Sequence, residues 1–166
     1  VWIGDCDGRG EFDLKAIRTA DTNDKNVIRE LVKGMLGDEN ADKVAELVVE
    51  DFFSNNNYRV FVIELLGIVT GFGVIKFNPF EGGSGIAEIV WLGIDKRNKR
   101  TGLGSKLVRY MEEFLKENSI RKIYVKTSVK NKDAICFWIM QSYKFEARML
   151  DFSLKSYDDY YLAKDI

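Results

Sequence analysis

The sequence predicts an α+β fold: a mixed, mostly antiparallel sheet with one parallel pair, formed by its fourth and fifth strands, and helices packed on its faces. Three observations carry this. Short apolar or alternating runs of strand length recur along the chain, and four other stretches repeat their apolar residues at helical spacing. Successive strand segments joined by short connections, such as Arg59–Leu66 and Ile68–Phe77 at Gly67, are expected to pair antiparallel. Between Ile86 and Val129 the pattern instead runs strand, glycine turn, long amphipathic helix, strand. Such a unit demands a right-handed crossover and therefore a parallel pair.

The elements follow in order. Residues 1–12 read as an N-terminal tail with Gly4, Gly8 and Gly10, and residues 13–166 as a single domain, as a chain of 166 residues suggests. Asp5-Cys6-Asp7-Gly8 lacks the further oxygens and closing glutamate of a calcium loop, so it reads as a turn. Phe12 to Thr19 alternates and predicts a first strand. Asp21 or Thr22 caps a helix running through Gly34, with Val27, Ile28, Leu31, Val32 and Met35 on one stripe, and Gly37 stops it. A second helix, Ala41 to Phe53, is expected to bury Val44, Leu47, Val48 and Phe52. After the Asn55-Asn56-Asn57 turn, Arg59–Leu66 and Ile68–Phe77 form a hairpin at Gly67. Pro79 to Gly85 is a loop. Ile86–Ile94 is too apolar for a strand with one wet face, so it belongs in the middle of the sheet. A helix from Leu103 to Asn118 buries Leu103, Leu107, Met111, Phe114 and Leu115. Ile123–Val129 is the fifth strand, Asn131–Ser142 a fourth helix, and Phe145–Leu154 and Tyr160–Ile166 the closing strands.

Composition narrows the chemistry. A net charge of −1 gives no general attraction to nucleic acid, and a DNA-binding module is disfavoured. With 31% charged residues and no apolar run near membrane-spanning length, no membrane partner is expected. The two cysteines, Cys6 and Cys136, make neither a metal spacing nor a disulfide framework, and a reducing cytoplasm is the default reading. The sequence contains no histidine, which removes Ser-His and Cys-His nucleophile pairs and the commonest zinc ligand, so no metal site is predicted. Proton transfer then falls to a carboxyl, tyrosine, lysine, cysteine or water.

The most informative stretch is Ile94-Asp-Lys-Arg-Asn-Lys-Arg-Thr-Gly-Leu-Gly-Ser-Lys-Leu107. It ends a strand, opens a helix, and holds cations beside two closely spaced glycines. A helix start offers unpaired N–H groups and a partial positive charge, and glycine lets a ligand approach that backbone. Such a turn suits a phosphate or pyrophosphate. A P-loop is excluded, because Gly102-Leu-Gly-Ser-Lys does not reproduce its spacing.

The element order, with Lys99-Arg100-Thr101-Gly102-Leu103-Gly104 after the fourth strand and Asn131-Lys-Asp-Ala134-Ile-Cys-Phe137-Trp138 opening a later helix, resembles the GNAT superfamily of acetyl-CoA-dependent N-acyltransferases over about residues 13–166. Lys99 stands where the family usually has arginine or glutamine, and Ser142-Tyr143 where it usually has Gly-Phe. The resemblance implies an N-acetyltransferase that takes acetyl-CoA as co-substrate, uses no metal, and acylates an amine acceptor directly in a ternary complex. Homodimerisation is left open. It further implies that the backbone of Arg100, Thr101, Gly102, Leu103, Gly104 and Ser105 holds the coenzyme A pyrophosphate, with the Lys99 and Arg100 side chains adding charge. Lys96 and Arg97 would add charge there. Leu92, Gly93 and Ile94 would meet the pantetheine arm between splayed strands, with Asn131, Ala134, Phe137 and Trp138 contributing from the later helix.

Glu88 is the expected general base, by resemblance of Ala87-Glu88-Ile89-Val90-Trp91 to the histone-type enzymes of that superfamily. The general acid stays open, because Trp138 stands where many members carry tyrosine, and Tyr143 is the nearest substitute in sequence. Cys136 is expected to be a small core residue. The alternative function is a non-catalytic acyl-CoA-binding sensor, supported by that tryptophan. Asp38, Glu39, Asp42, Glu50, Asp51, Asp158 and Asp159 fall in segments that shape the acceptor site in the family and hint at a cationic amine, although a solvated acidic surface is the simpler explanation for them.

Overall fold

The computed structural model describes residues 17–37 and 39–166. The tail, most of the predicted first strand and Asp38 therefore lie outside the described residues. The elements are β1 (Ile17–Thr19), a 3-10 turn (Thr22–Asp24), α1 (Lys25–Leu36), α2 (Ala41–Ser54), β2 (Tyr58–Leu65), β3 (Ile68–Phe77), β4 (Ile86–Ile94), a second 3-10 turn (Lys96–Asn98), α3 (Leu103–Glu117), β5 (Lys122–Ser128), α4 (Lys132–Met140), β6 (Lys144–Leu154) and β7 (Tyr157–Asp165). The sheet runs β1-β2-β3-β4-β5-β7-β6, with β4 at its centre. Only β4 and β5 pair in parallel; the other neighbours are antiparallel.

Local chemistry sets the boundaries. Asp21 caps the first 3-10 turn by accepting from the Asn23 N–H, and Gly37 ends α1 in the left-handed conformation at φ 67°. Leu66 and Gly67 both take positive φ, the geometry that lets a two-residue turn match the twist of β2 and β3. Arg18 on β1 joins the start of the first helical segment to the sheet. It donates to Asp24 Oδ2 at 2.7 Å and to Glu64 Oε1 at 2.8 Å. That guanidinium holds the buried Asp24 carboxyl below its ordinary value.

Two apolar clusters fill the opposite faces of the sheet. α3 and α4 cover one, around Leu107, Met111, Ile123, Val125 and Leu162. α1 and α2 cover the other, around Ile28, Val32, Phe72 and Val74. Within α2 the expected stripe is rotated. Ala41, Ala45, Val49 and Phe52 are buried, whereas Val44 and Leu47 are exposed. The buried set has the same i, i+4 spacing as the expected one. Small alanines let α2 lie close on α1, and weighing side-chain size alone hides that choice. Met35 is likewise 46% exposed, on the α1 stripe but at the edge of the cluster. β7 begins at Tyr157, three residues before the expected start, because Ser156 at φ 67° makes a tight β6–β7 turn.

Candidate active site

β4 and β5 share only three rungs: Ile86 with Lys122, Ala87 with Ile123, and Glu88 with Tyr124. Beyond Glu88 the strands part. On its other side β4 stays bonded to β3, with a bulge that leaves Val90 between the Ile75–Ile89 and Val74–Trp91 pairs. A bulge removes one residue from the ladder and twists the strand locally. The gap is a cleft of about 180 Å³. Met35, Val90, Trp91 and Leu92 face it from one side, Val125, Lys126 and Thr127 from β5, and Ala134 and Trp138 from α4.

After β4 the chain turns through the second 3-10 segment into α3. Arg100 and Gly102 both adopt left-handed backbone, at φ 61° and 83°. Gly102 is the N-cap of α3 and supplies no side-chain cap. Its carbonyl accepts from the Lys106 N–H at 3.0 Å, closing the first turn. The leading N–H groups of Leu103, Gly104 and Ser105 thus have no capping side chain, and a Cβ built on Gly102 would meet nothing within 4 Å. Lys99 and Arg100 are exposed and form no ion pair among the described residues. Arg97 differs from that expectation: it grips Asp95, the cap of the 3-10 turn, through Nε at 3.1 Å and Nη2 at 2.8 Å. That contact pulls the Asp95 carboxyl down to about 2. Its charge is committed to shaping the turn.

The other expected residues divide by role. Leu92, Ala134 and Trp138 come together in the cleft. Gly93 and Ile94 pair with Phe72 and Gly71 of β3. A Cβ on Gly93 would lie 2.6 Å from both Met35 Sδ and Phe72 Cε1, so its glycine has a packing reason. Phe137 is 3.4 Å from the Cβ position of Gly104 and meets Trp138 edge-on at 5.1 Å, which fits α4 against the start of α3. Asn131 caps α4 by accepting from the Ala134 N–H at 3.2 Å. Asn131→Ala is expected to destabilise the protein by about 1 kcal/mol. Urea unfolding should show a lower midpoint with an unchanged slope; an unmoved midpoint would mean that this cap contributes nothing.

Cys136 is not a core residue: it is exposed. Ala134, Phe137 and Trp138 form the inward face of α4, and Cys136 falls on the opposite side of a 3.6-residue turn. An apolar run around it misled because α4 is covered on one face only. Tyr143 also lies away from the cleft. Its ring packs on Trp138 at 5.0 Å, and its hydroxyl is buried near the Glu112–Lys164 ion pair, with no hydrogen-bond partner among the described residues. Burial, then the Glu112 charge, push its phenol well above the ordinary value.

Glu88 lies on the last β4–β5 rung, beside Ile89 of the cleft lining, and alternates with Ala87 and Ile89, which pack in the α3–α4 cluster. Its Oε2 accepts from the Tyr124 hydroxyl at 3.0 Å. Tyr124 stacks on Tyr161 of β7 with centroids 5.9 Å apart. Sequence reasoning passed over Tyr124, and also Gln141, whose Nε2 donates to Ser105 Oγ at 3.0 Å and ties the end of α4 to the start of α3. Strand alternation alone puts Tyr124 on one face; its meeting with Glu88 depends on the parallel register, which no local pattern carries.

The pattern of the acetyltransferase (GNAT) family matches residues 25–140, well over half of the chain. The chain belongs to the GNAT acetyltransferase family. Its fold is that of solved structures with low sequence identity. A GCN5-related N-acetyltransferase from Kribbella flavida superposes with a TM-score of 0.77 at 14% identity, covering 91% of this chain and 97% of that one. A ribosomal-protein-alanine N-acetyltransferase from Brucella melitensis gives 0.75 at 16% identity, covering 91% and 99%. An aminoglycoside 6'-N-acetyltransferase complexed with coenzyme A gives 0.73 at 16% identity, covering 90% and 96%. No curated protein matches the chain in sequence. As a GNAT enzyme the protein is an acetyl-CoA-dependent acetyltransferase, and the residues present fit that co-substrate. The start of α3 is uncapped with open space over Gly102, a setting that suits an anion, and the parted strands leave a narrow cleft. Among the described residues no helix is long and apolar enough to cross a membrane.

Proposed function

We propose that the cleft between β4 and β5 takes the pantetheine arm of acetyl-CoA, that the Arg100–Ser105 turn takes its pyrophosphate, and that Glu88 is the general base for transfer to a primary amine. The observation that carries this reading is the parting of the two strands immediately after the Glu88–Tyr124 rung, which opens a cleft lined by Leu92, Ala134 and Trp138, while the chain continues from β4 into the uncapped start of α3. Acetyl-CoA supplies an activated acetyl thioester. The chain supplies position and proton transfer. Backbone N–H groups and the helix dipole hold the anion, with Lys99 and Arg100 adding screened charge. Glu88 accepts a proton from the attacking amine, directly or through water. The amine nitrogen forms the new C–N bond and gives up its second proton to solvent as the thioester C–S bond breaks, and the departing thiolate takes a proton from water. A base is needed because an alkylammonium, with pKa near 10, has no lone pair.

Transfer is direct, in a ternary complex. Cys136 is exposed on the outer side of α4 and does not line the cleft, so it is not placed to carry the acetyl group. Intact-protein mass spectrometry after incubation with acetyl-CoA alone should show no stoichiometric adduct, and two-substrate kinetics should show intersecting rather than parallel lines. An adduct on Cys136 that an added amine discharges would overturn direct transfer.

For the acceptor, a cationic amine is supported by where the acidic residues fall. Asp42, Glu50 and Asp158 are neutralised by Lys33, Lys25 and Arg148. Asp159, 5% exposed, accepts only from the Ser153 hydroxyl, and neither it nor Glu88 forms an ion pair among the described residues. A turnover screen with acetyl-CoA against pooled amines, neutral and cationic, tests this: preference for amines lacking any second positive charge would reject the cationic acceptor while leaving the coenzyme site standing.

A further inference from the structure

The contact between Tyr124 and Glu88 is too well built to be incidental. The two residues face each other on the last rung of the parallel ladder, and the phenol donates to Glu88 Oε2 at 3.0 Å. The Tyr124 ring cannot swing freely, because it stacks on Tyr161 at an interplanar angle of 24°, and Tyr161 in turn meets Phe152 edge-on at 6.2 Å. The hydroxyl is therefore aimed by packing contributed from three strands, β5, β7 and β6.

We propose that Tyr124 is a positioning residue for the acetyl transfer: it holds one oxygen of Glu88 by hydrogen bonding and leaves Oε1 to face the acceptor amine or its water. The inference rests on Glu88 being the general base. Tyr124 is suited to the task because it stays a donor. Burial, followed by the Glu88 charge, raises its phenol far above ordinary working pH. A phenol that does not ionise cannot take the amine's proton, so its contribution is to orient the carboxylate and stabilise its charged form.

The surroundings leave this job to Tyr124. Across the antiparallel ladder, Lys76 of β3 is the rung partner of Glu88, but its ammonium lies 5.7 Å over the Tyr58 ring, and it forms no ion pair with Glu88 among the described residues. From β2, Tyr58 is raised mainly by burial, then by Asp51 of α2, with Glu88 a lesser cause. From β7, Tyr161 is raised by burial, then by Glu88, then by Asp159. Of these groups, only Tyr124 donates a hydrogen bond to Glu88. A hydrogen bond to an ionised group is among the stronger single contacts available, and a fixed base geometry governs proton-transfer rate.

The test is a double-mutant cycle with Tyr124→Phe, Glu88→Gln and the double variant. Tyr124→Phe keeps the ring stack and loses only the hydroxyl, so the fold should survive; thermal melting verifies it. Rates are measured with acetyl-CoA and the amine returned by the pooled screen, or, failing one, with acetyl-CoA hydrolysis, where water needs the same base. Tyr124→Phe is expected to lower kcat about ten-fold with coenzyme A affinity unchanged. In the Glu88→Gln background the same change should have no further effect, because the group it positions is gone. If Tyr124→Phe lowers kcat equally with and without Glu88, or leaves kcat unchanged, Tyr124 is structural and the proposal fails while the base assignment stands. A normal rate in Glu88→Gln alone overturns both.

Discussion

Glu88→Gln is expected to reduce kcat by about 10²–10⁴-fold while coenzyme A binds as before. Gln is the same size, can still accept from the Tyr124 hydroxyl, and lies on a rung whose backbone pairing does not involve the side chain. What it cannot do is take a proton. The deficit should depend on pH in a definite direction. Far below the amine's own pKa, near 10, nearly all acceptor is ammonium and the base is indispensable; as pH rises, free amine becomes available and the variant should recover toward wild type. Steady-state rates over roughly pH 6 to 9 read this directly. Rates equal to wild type throughout would leave Glu88 as a strand residue and place the base elsewhere. With no histidine in the chain, the search would then pass to another carboxylate at the acceptor side, Asp159 first, since it is buried and carries no ion pair among the described residues.

Much of the fold was legible because its signals are local. The length of Ile68–Phe77, the length and apolar content of Ile86–Ile94, the stop at Gly37 and the strand-turn-helix order around Gly102 each act over a few residues, and the structure has them where the sequence suggests. The parallel pair followed from connection length, a topological constraint. What failed needed information from elsewhere in the chain. Ala41-Ala45-Val49 and Val44-Leu47-Val48 are both plausible faces of α2, and only the partner surface of α1 decides between them. Cys136 sits in an apolar run, yet α4 is covered on one side only, so half of that run is exposed. For the candidate site, the sequence pointed to Leu92, Ala134 and Trp138 separately, and the parting of β4 and β5 brings them to one cleft. Tyr124 and Gln141 were invisible for a related reason. Each acts through a side-chain contact 36 residues away in sequence, with Glu88 and Ser105, and such contacts exist only once the sheet register is set.

The largest effect on coenzyme binding is expected from Gly102→Val, at ten-fold or more in Kd. Two physical causes act there, and they can be separated. Gly102 holds φ at 83°, a conformation that costs a β-branched residue about 1–3 kcal/mol. In addition, a Cβ there would meet nothing within 4 Å among the described residues, so a valine side chain would project into the region proposed for the pyrophosphate beside the α3 N–H groups. Gly67 provides the control. It has nearly the same φ, 76°, and the same open surroundings, but it lies in the β2–β3 turn. Gly67→Val should therefore lower thermal stability by a comparable amount with no change in coenzyme A affinity. Calorimetric titration of coenzyme A into both folded variants reads the difference. Loss of affinity in Gly102→Val alone assigns it to the blocked approach at the helix start, since about 1.4 kcal/mol per ten-fold is then spent at the ligand and not in generic backbone strain. Equal affinities in the two variants and in wild type would mean that the anion is held elsewhere, and that the Arg100–Ser105 turn serves only to start α3.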